Sequence, residues 1–177
     1  MSGDKNRFAA GPGGSWYPYE TVLGPLTIVS DGTAVTAICF AGADEPGDPR
    51  IRSELTDRAA TQINEYAAGS RRRFELPLRP AGTAFQRAVW QALCDIPYGE
   101  TRSYKQIAAA VGNPAATRAV GMANNRNPIV VVIPCHRVIG ADGSLTGYGG
   151  GLDMKRRLLD LETGRLSFSF PAAVYDL

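Results

Sequence analysis

Residues 83–140 read TAFQRAVWQALCDIPYGETRSYKQIAAAVGNPAATRAVGMANNRNPIVVVIPCHRVIG. Thr83 and Gln86 form a capping-box pair ahead of Phe85, Val89 and Leu93, which share one face of a helix. The loop DIPYGET (95–101) ends that helix. Ser103 and Gln106 repeat the pair and open YKQIAAAV (104–111), closed by Gly112. Asn113 is the expected N-cap of the next helix, AATRAVGMAN (115–124), with Pro114 at its first position. Two short helices joined at Gly112-Asn113 fit a helix-turn-helix. The same spacing fits a helical hairpin in a core, and spacing alone does not choose between them.

IVVVIPCHRVIG (129–140) is apolar and β-branched except at Cys135, His136 and Arg137, and is expected as a strand. Regular alternation would point Cys135 and His136 to opposite faces. Pro134 argues for an irregular backbone, which would let thiol and imidazole approach, directly or through a water. A nearby imidazolium would favour a thiolate at neutral pH. A buried cysteine beside a satisfied histidine is the alternative for any such pair. Beyond it come an Asp142-Gly143 turn, the glycine-rich TGYGGG (146–151), and a last helix from about Leu152 to Glu162 that Gly164 ends.

Upstream, LTIVS (26–30) and AVTAICF (34–40) flank Asp31-Gly32 as a β-hairpin. AGADEPGDP (41–49) reads as a loop. A helix is expected from about Ile51 to Ala68, with Ile51, Leu55, Ala59, Ile63 and Tyr66 on one face. RRRFELPLRPAG (71–82) reads as a short strand and a linker, with a boundary near Pro80 to Gly82. Arg71, Arg72 and Arg73 suggest a phosphate patch, but a solvated loop is the better reading. The expected division is a tail over 1–15, an α/β domain over 16–80, a helix-turn-helix domain over 81–165 and a tail over 166–177.

The composition excludes several classes. With 44% hydrophobic and 20% charged residues, the chain is neither disordered nor fibrous. No run approaches a membrane span. Three cysteines, an odd number, do not suit a disulfide framework. No signal peptide is evident, so a reducing, cytoplasmic compartment is expected. The net charge of +2 says little, but residues 85–165 hold ten Lys/Arg against six Asp/Glu. A phosphate backbone would prefer that half.

IPCHRVIG, with NP upstream and GYGGG downstream, resembles the active-site signature of the 6-O-alkylguanine-DNA alkyltransferases, also called methylated-DNA–protein-cysteine methyltransferases. The resemblance spans about Thr83 to Gly164 and is weaker over GPLTIVSDGTAVTAI. It implies an α+β fold, with a ribonuclease-H-like N-terminal sheet-and-helix domain followed by a winged-helix-like, helix-turn-helix catalytic domain. It implies direct-reversal repair: an alkyl group of 6-O-alkylguanine, and of 4-O-alkylthymine, moves irreversibly to Cys135, once per molecule.

The resemblance also assigns roles. Cys135 is the nucleophile, His136 activates it through a water, and Glu162 orients His136. Asn127 holds the turns around the site, and Tyr104 helps protonate the departing guanine. Arg118 fills the gap left by the flipped nucleotide, within a DNA-binding set of Tyr104, Thr117, Arg118, Ala119 and Gly121. Tyr148 walls the base pocket with Pro134, Val138, Gly149 and Gly150, and the backbone of Cys135, Val138 and Gly149 hydrogen-bonds the base. The implied partner is double-stranded DNA, entered from the minor groove. No membrane partner, cofactor or metal is implied. The expected state is a monomer, with clustering along DNA left open.

The roles make physical sense. A soft alkyl carbon suits a thiolate, a purine leaves more easily when protonated, and a stacked base must be extruded before it can react. Two departures stand out. Asn124 and Asn125 occupy positions where many relatives carry larger or apolar residues. Some relatives hold a structural zinc, but Cys39 and Cys94 are the only spare thiols and cannot close a tetrahedral site; both are expected in the core. The rival readings are a thiol hydrolase, which would turn over, and a DNA-binding module without chemistry.

Overall fold

β1 (Ser15–Thr21), β2 (Gly24–Ser30) and β3 (Val35–Phe40) form an antiparallel sheet in the order β1-β2-β3. They belong to a computed structural model that describes residues 13–40, 50–166 and 168. The expected loop over 41–49 lies outside the described residues, as does most of both expected tails. β1 corrects the sequence reading, which gives two strands and leaves Ser15 in a tail. Its Pro18 argues against a central strand, and β1 is an edge, where a missing N–H removes no essential ladder bond. At the tip of the expected hairpin, the Asp31 carboxylate accepts from Thr33 N at 2.9 Å and Ala34 N at 2.8 Å.

α1 (Glu54–Ala67) begins three residues after the expected start. Ser53 is the reason. Its hydroxyl accepts from Thr56 N, and the Thr56 hydroxyl accepts from Ser53 N at 2.9 Å. The cap fixes the first turn after Ser53, so Ile51 stays outside the helix and is 57% exposed. Ala59, Ile63 and Tyr66 form the buried face as expected. The expected short strand within 71–82 reduces to a single bridge between Leu78 and Val35.

α2 (Ala84–Cys94) and α3 (Tyr104–Ala110) carry the expected capping boxes at Thr83/Gln86 and Ser103/Gln106. α4 (Thr117–Asn125) completes the helix-turn-helix but starts later than predicted. Asn113 is not its cap. Asn113 O accepts from Ala116 N at 2.9 Å, a turn in which Pro114 supplies its fixed φ. Trp90 of α2 ties the unit together by donating to Ala123 O at 2.9 Å.

The expected strand over 129–140 is the largest correction. Only Val138–Ile139 (β5) is strand, paired in parallel with Arg102–Ser103 (β4). Residues 130–133 turn back on themselves, and Cys135–Arg137 form one 3-10 turn. Asn127 builds this shape. Its Oδ1 accepts from Ile129 N at 3.0 Å and its Nδ2 donates to Ile133 O at 2.8 Å. Val131 adopts φ 71°, a left-handed conformation that a β-branched residue seldom takes. The apolarity that suggests a strand reflects burial instead, for residues 127–138 are all buried.

The two halves share one core. Leu26, Ile28, Ile38 and Ile63 pack in the same cluster as Leu93, Ile129, Ile133 and Leu158. The segment leading to Cys135 is also hydrogen-bonded to the N-terminal sheet. Ile38 N donates to Pro128 O at 2.9 Å, and Val130 N donates to Ile38 O at 3.1 Å. α5 (Gly151–Glu162) closes the structure, and Gly164 at φ 72° ends it. Phe168, within the expected tail, is buried and lies 4.4 Å from the Arg157 guanidinium. Among the described residues, no helix is long and apolar enough to cross a membrane.

Candidate active site

The 3-10 turn places Cys135, His136 and Arg137 side by side in the interior, each 7% exposed or less. His136 and Arg137 both reach Glu162 at the end of α5. His136 Nε2 lies 2.9 Å from Glu162 Oε1. A carboxylate can only accept, so Nε2 carries the proton and Nδ1 is the basic nitrogen. Arg137 donates to both Glu162 oxygens, from Nε at 3.1 and 3.0 Å and from a terminal nitrogen at 2.9 Å. Gly99 N adds 2.9 Å to Oε2, and the Tyr66 hydroxyl donates to Oε1. Burial opposes charge on Glu162, but His136 and Arg137 hold its carboxyl down at about 2.

These surroundings revise one expectation. Burial holds His136 below its ordinary value, against the pull of Glu162. The ring is therefore neutral, a base rather than an imidazolium. Burial likewise pushes the Cys135 thiol up to about 11, against an Asn127 hydrogen bond and the Lys155 charge. The resting pair is a thiol beside a neutral imidazole. Thiolate forms only when a base accepts the proton.

Among the described residues, three buried side-chain atoms have no hydrogen-bond partner: Asn124 Oδ1, His136 Nδ1 and Tyr148 Oη. All belong to the surroundings of Cys135. Asn124 Nδ2 donates to Cys135 O at 3.4 Å. The Tyr148 ring stands edge-on to His136 at 6.4 Å and to Phe40 at 6.0 Å. Burial raises the Tyr148 phenol well above its ordinary value, so it remains a donor. Unsatisfied buried polar atoms are rare. Three on residues next to or packed near Cys135 and His136 mark a place for a polar ligand.

The rest of the expected pocket is assembled from the 138–151 loop. The backbone of Val138 is already occupied, its N–H by Cys135 O and its carbonyl by Lys155 Nζ at 2.6 Å. Only the remaining carbonyl lone pair is left for a base. A Cβ on Gly150 would lie 2.6 Å from the Phe40 ring, whereas one on Gly149 would meet nothing. Close approach to protein therefore explains Gly150 and not Gly149, which is exposed. Pro134 is buried immediately before the sulfur.

Tyr104, at the first position of α3, is half-buried, and its hydroxyl is 3.4 Å from Thr146 O. Across from it, a Cβ on Gly121 would sit 3.9 Å from the Tyr104 ring, so α4 lies against this tyrosine. Arg118 and Ala119 are exposed on α4, with Thr117 half-buried. Sequence reasoning missed Tyr66, Arg137 and Lys155. Arg137 and Lys155 are buried charges; the apolar run around Arg137 points to burial but not to its partner, and nothing around Lys155 separates it from a surface lysine. Tyr66 was assigned to a core face, where its ring does lie. Cys94, expected in the core, is exposed at the end of α2. No group of three or more potential ligands that could hold a metal occurs among the described residues.

Comparison with known proteins gives two matching family models. Residues 16–80 match the ribonuclease-like domain of 6-O-methylguanine DNA methyltransferase, and residues 84–164 match its DNA binding domain. A methylated-DNA–protein-cysteine methyltransferase of Methanosarcina barkeri is 48% identical over 151 residues, covering 83% of this chain and 96% of the relative. The protein of that name from Mycobacterium bovis is 48% identical over 157 residues, covering 83% and 93%. The crystal structure of Mycobacterium tuberculosis OGT in complex with DNA superposes with a TM-score of 0.81 at 44% identity, covering 86% of this chain and 95% of that one.

Proposed function

Because the chain belongs to the 6-O-methylguanine DNA methyltransferase family, we propose that it repairs alkylated DNA by moving an alkyl group from guanine to Cys135. The observation that carries this reading is the buried Cys135 next to a neutral His136, with unpartnered polar atoms on His136 itself and on the neighbouring Asn124 and Tyr148. His136 Nδ1 takes the thiol proton, through a water, while Glu162 holds Nε2–H and stabilises the cation that forms. The sulfur pair then makes the S–C bond, and the C–O6 pair departs with the purine. The purine gains one proton, delivered with help from Tyr104. The protein ends as a thioether and the base as guanine.

DNA as the partner is supported by the similarity to a solved DNA complex and by the exposed Arg118 on α4. In this reading α4 enters the minor groove. Thr117, Ala119 and Gly121 allow close approach there. Arg118 replaces the extruded nucleotide, offsetting part of the few kcal/mol that flipping costs. Tyr148, Pro134, Val138, Gly149 and Gly150 enclose the base, Asn127 fixes the turn that presents the sulfur, and 4-O-alkylthymine is a second substrate. The working division is residues 16–80 and 81–165, and the protein acts as a monomer in the cytoplasm.

A thioether has no carbonyl for water to attack, so the reaction happens once per molecule. The test titrates methylated duplex against known protein, with intact mass read at each point. Repair stops at one methyl per chain, located on Cys135, and Cys135→Ser binds the duplex without gaining mass. Continued turnover with Cys135 recovered unmodified would overturn the reading and favour a thiol hydrolase.

A further inference from the structure

Lys155 of α5 is fully buried. Its ammonium donates to Val138 O at 2.6 Å and Thr146 O at 2.7 Å. Among the described residues it forms no ion pair: of the three carboxylates on its own helix, Asp153 and Asp160 do not pair with it, and Glu162 is taken up by His136, Arg137, Tyr66 and Gly99. A buried cation without a counter-ion is costly. Two carbonyls disperse that charge but do not cancel it. Both carbonyls belong to the pocket: Val138 follows the Cys135 turn, and Thr146 O also receives Tyr104 Oη. Burial holds the Lys155 ammonium below its ordinary value, and against that pull Lys155 and Cys135 interact electrostatically, each favouring the charged form of the other.

We propose that Lys155 is the positioning residue that supplies the counter-charge for the Cys135 thiolate, the anion His136 generates and the alkyl carbon consumes. This rests on the reading of Cys135 as alkyl acceptor. His136 is a neutral base and Arg137 is committed to Glu162, so neither brings a free positive charge to the resting thiol. Tyr148 and Tyr66, which also lie at the site, are phenols that burial keeps neutral, and the Tyr104 hydroxyl faces the same Thr146 carbonyl without bringing a positive charge. Lys155 is therefore the one cation of the site, among the described residues, whose charge no carboxylate meets. When sulfur gives up its proton to His136, the new negative charge completes a pair with Lys155 in a low-dielectric interior, where such attraction is strong. The same ammonium ties Thr146, and through it Tyr104, to β5, so thiolate and proton donor are held from one point.

The test uses a Cys94→Ser background, which removes the exposed thiol. Cys135 is alkylated with iodoacetamide, a neutral reagent that needs no DNA, across a pH series. Lys155→Met preserves length and removes charge. Its rate profile moves to higher pH, and its rate at neutral pH falls on the order of tenfold. Lys155→Gln is a second neutral variant, whose amide can still donate to the Val138 and Thr146 carbonyls, and its profile moves the same way, whereas Lys155→Arg, which keeps the charge, stays near the parent. An unchanged iodoacetamide profile in folded Lys155→Met overturns the proposal. If that variant does not fold, an unchanged profile in Lys155→Gln overturns it alone. Neither readout involves alkylated guanine, so failure here is distinct from failure of the repair reading.

Discussion

Tyr66, on the helix of the N-terminal half, donates its hydroxyl to the same Glu162 oxygen that receives the His136 Nε2 proton. The two residues are 96 positions apart in sequence. The hydroxyl also lies 3.3 Å from His136 Nε2. A sheet-and-helix unit that looks like structural support thus reaches the carboxylate that holds the His136 ring.

Tyr66→Phe keeps the ring in the core and removes only that hydrogen bond. Bonds to charged groups contribute about 1.5–3 kcal/mol, so the unfolding free energy from denaturant titration should fall by that amount. The transfer rate should fall as well, since His136 loses part of its frame. A variant with lower stability but an unchanged rate would restrict Tyr66 to folding.

Glu162 gives the stability a defined acid dependence. Its carboxyl sits at about 2, below its usual 4.5. A depressed value means that the stabilisation is complete above pH 4.5 and is lost as pH falls toward 2. Glu162→Gln strands the buried Arg137 and should cost about 3 kcal/mol at neutral pH. The gap between variant and wild type should then narrow below pH 4.5, as urea unfolding at stepped pH would report. A gap independent of pH would contradict the assigned network.

His136 and Glu162 should fail as a unit. His136→Ala, Glu162→Ala and the double variant are expected to slow methyl transfer by similar factors, because a base without its orienting carboxylate is already impaired. Single-turnover rates on methylated duplex would decide it. Additive losses would make Glu162 a packing residue only.

Arg118→Ala separates flipping from backbone binding. A filler side chain matters only when a stacked base must leave the duplex, so repair of duplex should slow far more than reaction with free alkylated guanine. If Arg118 only contacts phosphate, the salt slope of binding drops by about one instead. Equal slowing on both substrates would count against the filler role.

Local signals were readable from the chain because they depend on neighbours. The capping boxes at Thr83 and Ser103, the Asp31-Gly32 turn and the glycine stops at Gly112 and Gly164 need only residues a few positions apart. The PCHR string and its flanks point to Cys135, His136 and Glu162 as site candidates by resemblance. Tertiary structure alone decided the rest. The 129–137 segment carries the composition of a strand, but Asn127 folds it into turns by satisfying backbone groups at Ile129 and Ile133. Whether His136 is charged depends on how far burial outweighs Glu162, which no spacing encodes. Tyr66 looks like an ordinary core tyrosine, Lys155 like an ordinary surface charge and Arg137 like a charge without a partner until packing brings them to Glu162, Val138 and Thr146. A side chain's type is written in the sequence, but the dielectric around it and the partner it meets are set by segments up to 96 positions away.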